Sequence, residues 1–215
     1  MTEYILNKSF ESRVARSDRV LAIAESFGIG LEAKEFHVLK DVHININQGD
    51  VVYITGQSGS GKSQLLKCLR EEMTKQGLKV VDIDSVELKD APLIDQVGKD
   101  TNEALAILSQ VGLNDAYLVV RKPKELSDGQ LYRFKLALLF SKDADVWVSD
   151  EYCAPLDRVT ARVVSFNAQK LARRHNKTLI VATTHDDMIE ELAPSVTVIK
   201  RFNDRIEILE EKNND

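Results

Sequence analysis

The feature that most restricts how this 215-residue chain can fold is a glycine-rich segment directly after the apolar run Val51 to Thr55. From Gly56 to Ser63 it reads GQSGSGKS, which fits the pattern G-x-x-x-x-G-K-[ST]. Glycines let the backbone curl so that its N–H groups point at phosphate oxygens, and the start of a following helix adds partial positive charge. The segment therefore predicts a strand, a phosphate-binding turn and a helix in succession.

The side chains of this turn indicate a nucleoside triphosphate and Mg²⁺. The lysine of such a turn, here Lys62, bridges the β- and γ-phosphates, and the hydroxyl of Ser63 binds the metal. The pattern should arise by chance in on the order of 1% of chains of this length. We expect ATP and Mg²⁺ as cofactors, with ATP held by Gly56, Gln57, Ser58, Gly59, Ser60, Gly61, Lys62, Ser63 and Gln64.

Strands and helices alternate after the turn, which predicts an α/β fold with a mostly parallel sheet and an antiparallel β portion before it. Ahead of the turn, a helix between Ser17 and Gly28 has a good N-cap and a good terminating glycine. The predicted strands are residues 2–8, 37–46, 51–55, 79–83, 145–149 and 178–183, with a hairpin of 196–200 and 205–209 around Asn203-Asp204. The later helices are predicted at 63–76, 101–111, 129–141 and 159–175. We expect one domain over residues 1–215.

Composition excludes several classes of protein. The net charge of −5 argues against general affinity for nucleic acid or anionic membranes. Cys68 and Cys153 lack metal-ligand spacing and are expected to be reduced and buried. No apolar run approaches the ~20 residues of a membrane span, and the N-terminus lacks a secretory pattern. We therefore expect a cytoplasmic chain without direct membrane insertion.

Two carboxylates end the apolar run Val146 to Ser149. Asp150 would lie near the Mg²⁺ ion, and Glu151 beside the γ-phosphate, where it could polarise the attacking water. Acidic residues after a strand are common, and it is the preceding phosphate-binding turn that makes these two residues candidates.

The pentapeptide from Leu126 to Gln130, LSDGQ, resembles the signature sequence LSGGQ of ABC-type ATPases, with Asp128 in place of the first glycine. In that family the signature begins a helix and contacts the γ-phosphate bound by the other protomer. The local chemistry agrees, since Ser127 is a good N-cap. The resemblance implies a P-loop NTPase fold of the ABC type and ATP hydrolysis, with Ser127, Gly129 and Gln130 as nucleotide contacts in a head-to-tail homodimer.

The same resemblance assigns four further features. Residues 154–157 match the D-loop, and His185 stands where the family has its switch histidine. Gln96 is the expected Q-loop residue, touching Mg²⁺ or the water, and Gln110 is the weaker alternative. Phe27 resembles the aromatic residue that stacks on adenine; core packing is an equal alternative for Phe27, and Phe36 is the other candidate.

Three departures from the family pattern bear on function. Tyr152 and Cys153 replace the usual proline and small residue, and Asp128 brings a carboxylate close to the partner's triphosphate. The interval between Gln96 and Leu126 is short, so residues 97–143 are expected to form a reduced helical subdomain. The segments around Phe27 and residues 131–134 resemble a group of stand-alone ABC ATPases, some of them joined to an acetyltransferase-like domain that this chain lacks.

The expected function is therefore a non-transport mechanochemical or regulatory ATPase acting with an unknown protein or nucleic-acid partner. The alternative is the ATPase subunit of a membrane transporter. A P-loop kinase for a small molecule is a remote third, because a kinase has no use for a signature helix.

Overall fold

The computed structural model describes residues 2–12, 14–32, 34–202 and 205–210. The strands are β1 (Thr2–Ser12), β2 (Lys34–Ile46), β3 (Val51–Thr55), β4 (Val80–Asp82), β5 (Val146–Ser149), β6 (Thr178–Ala182), β7 (Val196–Lys200) and β8 (Ile206–Glu210). The helices are α1 (Asp18–Phe27), α2 (Lys62–Lys75), α3 (Thr101–Gln110), α4 (Ala116–Val119), α5 (Asp128–Phe140), α6 (Arg158–Arg174) and α7 (Ile189–Leu192).

A six-stranded sheet in the order β4-β5-β6-β3-β7-β8 forms the centre of the fold. Its pairs are parallel, apart from the antiparallel pair of β7 and β8. Strands β1 and β2 form a separate antiparallel sheet. The predicted α/β architecture, with a mostly parallel sheet and an antiparallel N-terminal portion, is confirmed. The turn of the predicted hairpin, Asn203-Asp204, lies outside the described residues.

Alternation of side chains along the central strands divides the interior into two cores, because successive residues of a strand face opposite sides of a sheet. Tyr53, Trp147 and Val181 belong to the core that α3, α5 and α6 cover. Ile54 and Val148 belong to the opposite core, which α2 and the β1–β2 sheet cover. A sheet buried on both faces explains why β3, β5 and β6 are almost continuously apolar.

Capping residues set the helix ends that the sequence predicted to within a few residues. The Ser17 hydroxyl accepts a hydrogen bond from the Val20 N–H, and Gly28 ends α1 with φ of 62°. Asp100 and Asp157 cap α3 and α6 in the same way as Ser17 caps α1. The single-turn helices α4 and α7 were not predicted, because four residues are too few to show a helical period.

Candidate nucleotide-binding site

The site lies where three neighbouring parallel strands end. In the order β5-β6-β3, the carboxyl ends of these strands meet at one edge of the sheet. Strand β3 leads into the glycine-rich turn, β5 into Asp150 and Glu151, and β6 into residues 183–186. They enclose a cleft of about 1030 Å³. It is lined by Thr55, Gly56, Gln57, Ser58, Gly59, Gly61, Lys62, Ser63, Gln64, Asp150, Glu151, Ala154, Ala182, Thr183, Thr184, Asp186 and Ile199.

Lys62 closes the glycine-rich turn on itself. Its ammonium group donates to the carbonyl oxygens of Gly56 and Gln57, each at 2.9 Å. Burial lowers the pKa of Lys62, and the charges of Asp150 and Glu151 act in the opposite direction. In a nucleotide complex, phosphate oxygens would replace these two carbonyl oxygens as the acceptors of the Lys62 ammonium group.

Two glycines of the turn are required by close approach as well as by backbone conformation. At Gly56, with φ of 139°, a Cβ atom would lie 2.0 Å from the carbonyl oxygen of Lys200. At Gly61, with φ of 100°, a Cβ atom would lie 2.8 Å from a methyl group of Val38 on β2. The turn is thus fixed from one side by β7 and from the other by the N-terminal sheet.

Asp150 and Glu151 leave β5 through an unusual backbone turn. Glu151 has φ of 45° and Cys153 has φ of 59°, both in the left-handed region that side-chain-bearing residues rarely adopt. The Asp150 carboxylate accepts a hydrogen bond from the Glu151 N–H at 2.9 Å. This turn keeps both carboxylates along the cleft, and the Glu151 side chain is exposed there.

The donor set in the cleft fits Mg²⁺ bound together with a triphosphate. The Ser63 hydroxyl and the Asp150 carboxylate both line the cleft, and oxygen is the ligand atom that Mg²⁺ prefers. No group of three His, Cys, Asp or Glu side chains among the described residues could hold a metal unaided. That is the usual state of a nucleotide site, where phosphate oxygens and water complete the metal's coordination.

The signature residues lie outside this cleft. Ser127 caps α5, and a reciprocal pair of hydrogen bonds joins Ser127 and Gln130. A Cβ atom at Gly129 would lie 3.4 Å from the Pro155 carbonyl oxygen, so the start of α5 packs against the D-loop of the same chain. Ser127 and Asp128 are exposed, which leaves this helix end open to a partner.

His185 lies beside the cleft. Its neighbours Thr184 and Asp186 line the cavity, whereas His185 is not one of the described residues that do so. Its backbone is fixed on both sides: the His185 N–H donates to the Thr183 hydroxyl at 3.2 Å, and the Tyr53 hydroxyl donates to the His185 carbonyl oxygen. Thr184 and Asp186 were not predicted from the sequence, although their position after a central parallel strand could have pointed to them.

Gln96, the predicted Q-loop residue, is not brought to the cleft. Its amide is used inside its own loop, accepting from the Lys89 N–H at 2.9 Å and donating to the Ala91 carbonyl oxygen at 2.6 Å. The weaker alternative, Gln110, ends α3 and also lies apart from the cleft-lining residues. Gln96 was predicted from its spacing after Lys62. In the structure its side-chain amide is hydrogen-bonded to backbone groups of its own loop, so it does not extend into the cleft.

The structure places a third aromatic residue, missed by sequence reasoning, beside the glycine-rich turn. A Cβ atom at Gly59 would lie 4.0 Å from the ring of Phe202, which follows β7. Phe202 also lines a cavity of about 370 Å³ that shares Gly56, Gln57 and Ile199 with the main cleft. Phe27 is 73% exposed at the end of α1, so it does not pack in the core, and neither Phe27 nor Phe36 is among the described residues that line these cavities.

Tyr152 and Cys153, the two departures next to Glu151, point into the protein. Both side chains are buried, and both cysteines of the chain are free. Burial raises the pKa of the Cys153 thiol to about 12, so the thiol stays neutral. The Tyr152 ring therefore does not obstruct the cleft.

Comparison with known proteins defines the class. The family model described as ABC transporter matches residues 39–154, just over half of the chain. The chain belongs to this family: it is an ATP-binding cassette that binds ATP with Mg²⁺ and hydrolyses ATP.

Relatives and solved structures are consistent with this assignment. A phosphonates import ATP-binding protein, PhnC of Lactococcus lactis, is 28% identical over 76% of this chain and 83% of its own length. A methionine import ATP-binding protein, MetN of Aliivibrio fischeri, is 26% identical, and the match covers 78% of this chain but 58% of that protein. The ATP-binding cassette MJ0796, solved as a dimer in a post-hydrolysis state with ADP and Pi, superposes with a TM-score of 0.67 at 18% identity, covering 98% of this chain and 100% of that one.

Within the described part of the chain, every helix is too short or too polar to cross a bilayer.

Substitution of Gly56 tests the geometry of the turn. Gly56→Ala should abolish ATP binding, because the new methyl group meets the Lys200 backbone at 2.0 Å. Gly59→Ala is the matched control: it has a positive φ too, with a strain of about 1–3 kcal/mol, but its nearest neighbour is 4.0 Å away. Titration with a fluorescent ATP analogue, alongside thermal unfolding, measures both. Equal losses in the two variants would contradict the steric explanation.

Proposed function

We propose that the chain works as one half of a head-to-tail homodimer that closes on two ATP molecules and opens after hydrolysis. The observation that carries the proposal is the exposed signature end of α5, with Ser127, Gly129 and Gln130 outside the cleft of their own chain. A helix N-terminus favours negative charge, so this end suits the γ-phosphate of a nucleotide held by a partner. The cassette MJ0796 has been solved as a dimer, which supports the pairing of two chains.

Each side chain of the cleft has a role in this proposal. The turn from Gly56 to Gln64 holds the phosphates, with Lys62 released from its carbonyl partners to meet them. Ser63 and Asp150 hold Mg²⁺. Glu151 orients and deprotonates the attacking water, and His185 contacts the γ-phosphate. Closure requires the γ-phosphate, and its loss on hydrolysis favours the open state.

Replacement of the water-activating carboxylate should separate binding from chemistry. Glu151→Gln should lower kcat by about 10²-fold or more, within the range ascribed to a lost general base, and should accumulate an ATP-bound dimer. Steady-state phosphate release and light scattering in ATP and Mg²⁺ measure the two effects.

Glu87→Gln is the control, since it removes the same charge from an exposed residue away from the cleft. Glu87→Gln should leave both the rate of phosphate release and the particle mass measured by light scattering in ATP and Mg²⁺ equal to those of the wild type. A Glu151→Gln chain that stays monomeric at saturating ATP would contradict the closed-dimer proposal.

We propose that Phe202 takes the place of the expected Phe27 or Phe36 in stacking on the adenine ring. Loss of an aromatic partner costs about 0.5–1.5 kcal/mol, so Phe202→Ala should raise the Kd for ATP roughly 2- to 10-fold. Phe27→Ala, which removes a more exposed ring, should not change the Kd. Isothermal titration with a non-hydrolysable ATP analogue tests both, and the reverse pattern would restore the upstream candidate.

We propose that ATP hydrolysis by this chain powers import across a membrane. The relatives named above are ATP-binding proteins of phosphonates and methionine import. Their names favour the transport alternative over the non-transport role first expected from the short interval before the signature. In this proposal the chain faces the cytoplasm and docks on a separate membrane subunit.

The non-transport role keeps one specific observation in its favour. Between residues 97 and 127 the structure has the ten-residue helix α3 and the four-residue helix α4, a small platform for a membrane subunit. We retain the proposal that residues 97–143 form a reduced helical subdomain within a single domain. A protein or nucleic-acid partner would then replace the membrane subunit.

The exposed apolar residues of this platform discriminate the two roles. Tyr117 is 81% and Val120 is 61% exposed, and both lie away from the cleft. If the chain serves a transporter, the double variant Tyr117→Ala, Val120→Ala should lose co-fractionation with membranes of the native host and keep its basal ATPase rate. Wild-type chain that stays out of the membrane fraction, with turnover stimulated by DNA or RNA in a salt-sensitive manner, would favour the non-transport role.

A further inference from the structure

Tyr132 joins the signature helix to the loop that carries the catalytic carboxylate. It lies on α5, two residues beyond the signature, and its side chain is buried at 9% exposure. From there its hydroxyl reaches the loop that follows β5. The neighbouring buried residues of α5, Phe134, Leu136 and Ala137, are apolar, so the Tyr132 hydroxyl is a polar group on an otherwise apolar helix face.

A continuous chain of hydrogen bonds passes through this hydroxyl. The Cys153 N–H donates to the Tyr132 oxygen at 2.8 Å, and that oxygen lies 3.3 Å from the Ser149 hydroxyl. The Ser149 hydroxyl donates in turn to the Asp150 carbonyl oxygen at 3.4 Å. Because the Ser149 hydroxyl donates to Asp150, it is free to accept from Tyr132, and each of the two hydroxyls then donates once and accepts once.

These contacts fall on both sides of Glu151. Ser149 and Asp150 precede it, and Cys153 follows it. The turn between them holds Glu151 at φ of 45° and Cys153 at φ of 59°, conformations that persist only where surrounding contacts enforce them. A second backbone restraint within the described residues is the bond from the Tyr152 N–H to the Ala182 carbonyl oxygen at 2.8 Å on β6. Of the two restraints, the one from Tyr132 comes from a side chain and can be removed by substitution.

Burial also fixes the ionisation of this group. Removal from water raises the pKa of Tyr132 above its ordinary value, so the hydroxyl remains protonated across the working pH range. The donor to Ser149 is therefore always present, and no titration of Tyr132 enters the reaction.

We infer that Tyr132 is a positioning residue for ATP hydrolysis, which holds the backbone on either side of Glu151 from the signature helix of the same chain. This inference rests on the proposed role of Glu151 as the group that activates water. Tyr132 itself touches neither nucleotide nor metal in this arrangement, and its effect on the rate passes through the placement of the Glu151 carboxylate.

Tyr132→Phe removes the hydroxyl and keeps the ring. It should lower kcat between about 10- and 100-fold, the loss expected from misplacing a catalytic group by about 1 Å. The Kd for a non-hydrolysable ATP analogue should stay within about twofold, because the glycine-rich turn is untouched. A loss of folding alone would also lower the apparent kcat at unchanged Kd, but it would lower the stoichiometry of analogue binding by the same factor, whereas Tyr132→Phe should keep full stoichiometry.

Tyr152→Phe is the matched control. Tyr152 is a second buried tyrosine in the same loop, and its hydroxyl faces the side chains of Ser165 and Cys153, apart from the hydrogen bonds that join Tyr132, Ser149 and Asp150. Its removal should leave both kcat and Kd unchanged. Equal kcat for wild type, Tyr132→Phe and Tyr152→Phe would overturn the inference.

A double-substitution cycle identifies the route of the effect. With Glu151→Gln already present, adding Tyr132→Phe should change the residual turnover by less than about twofold, because the group being positioned is gone. A further tenfold loss would overturn the inference, since Tyr132 would then act elsewhere. Wild-type turnover in Glu151→Gln alone would instead reject the proposed function, which keeps the two failures distinct.

Ser149→Ala serves if Tyr132→Phe does not fold. It breaks the same chain one link further on, between Tyr132 and the Asp150 carbonyl oxygen. We expect a fall in kcat of about threefold or more, with an unchanged Kd, and unchanged kcat in a folded variant would count against the inference.

Discussion

The parallel pairing of β3, β6 and β5 is the constraint on which the rest of the structure depends. Parallel strands present all their carboxyl ends at the same edge, so three segments far apart in sequence meet in one cleft. Each segment brings a different chemistry: backbone N–H groups and a cation after β3, carboxylates after β5, and hydroxyls with an imidazole nearby after β6. The two cores on either side of the sheet hold this edge rigid, and the cleft is a consequence of strand order.

Helix α5 connects this cleft with the surface through which we propose that a second chain approaches. Ser127 and Asp128 at its N-terminal end are exposed, and the next turn reaches the β5 loop through Tyr132. Arg133 donates to the Gly112 carbonyl oxygen at 2.7 Å just beyond α3. Contacts at the signature and the geometry around Glu151 are therefore parts of one packed element. The connection that we infer runs through α5, so it does not depend on the length of the segment between Gln96 and the signature.

Much of the fold and part of the site could be predicted from the sequence because their signals are local. Strand β3, the glycine-rich turn and α2 follow from residues adjacent in the chain, and Asp150 and Glu151 follow from the strand before them. The position of the Gln96 side chain could not be predicted from its distance along the sequence, because hydrogen bonds to nearby backbone groups fix it. Phe202 lies about 140 residues after the turn that it adjoins, and only the β3–β7 pairing brings the two together.

The left-handed conformation of Glu151 has a consequence for how this sequence can change. Glycine is the residue that would relax the backbone at this position, and it carries no carboxylate. Selection for stability alone would therefore favour glycine at position 151. Selection for turnover would keep glutamate there, although the backbone conformation disfavours it. With the role proposed for Glu151, the strained turn after β5 is a place where stability and activity compete, and it gives an inactive descendant a route to a more stable fold.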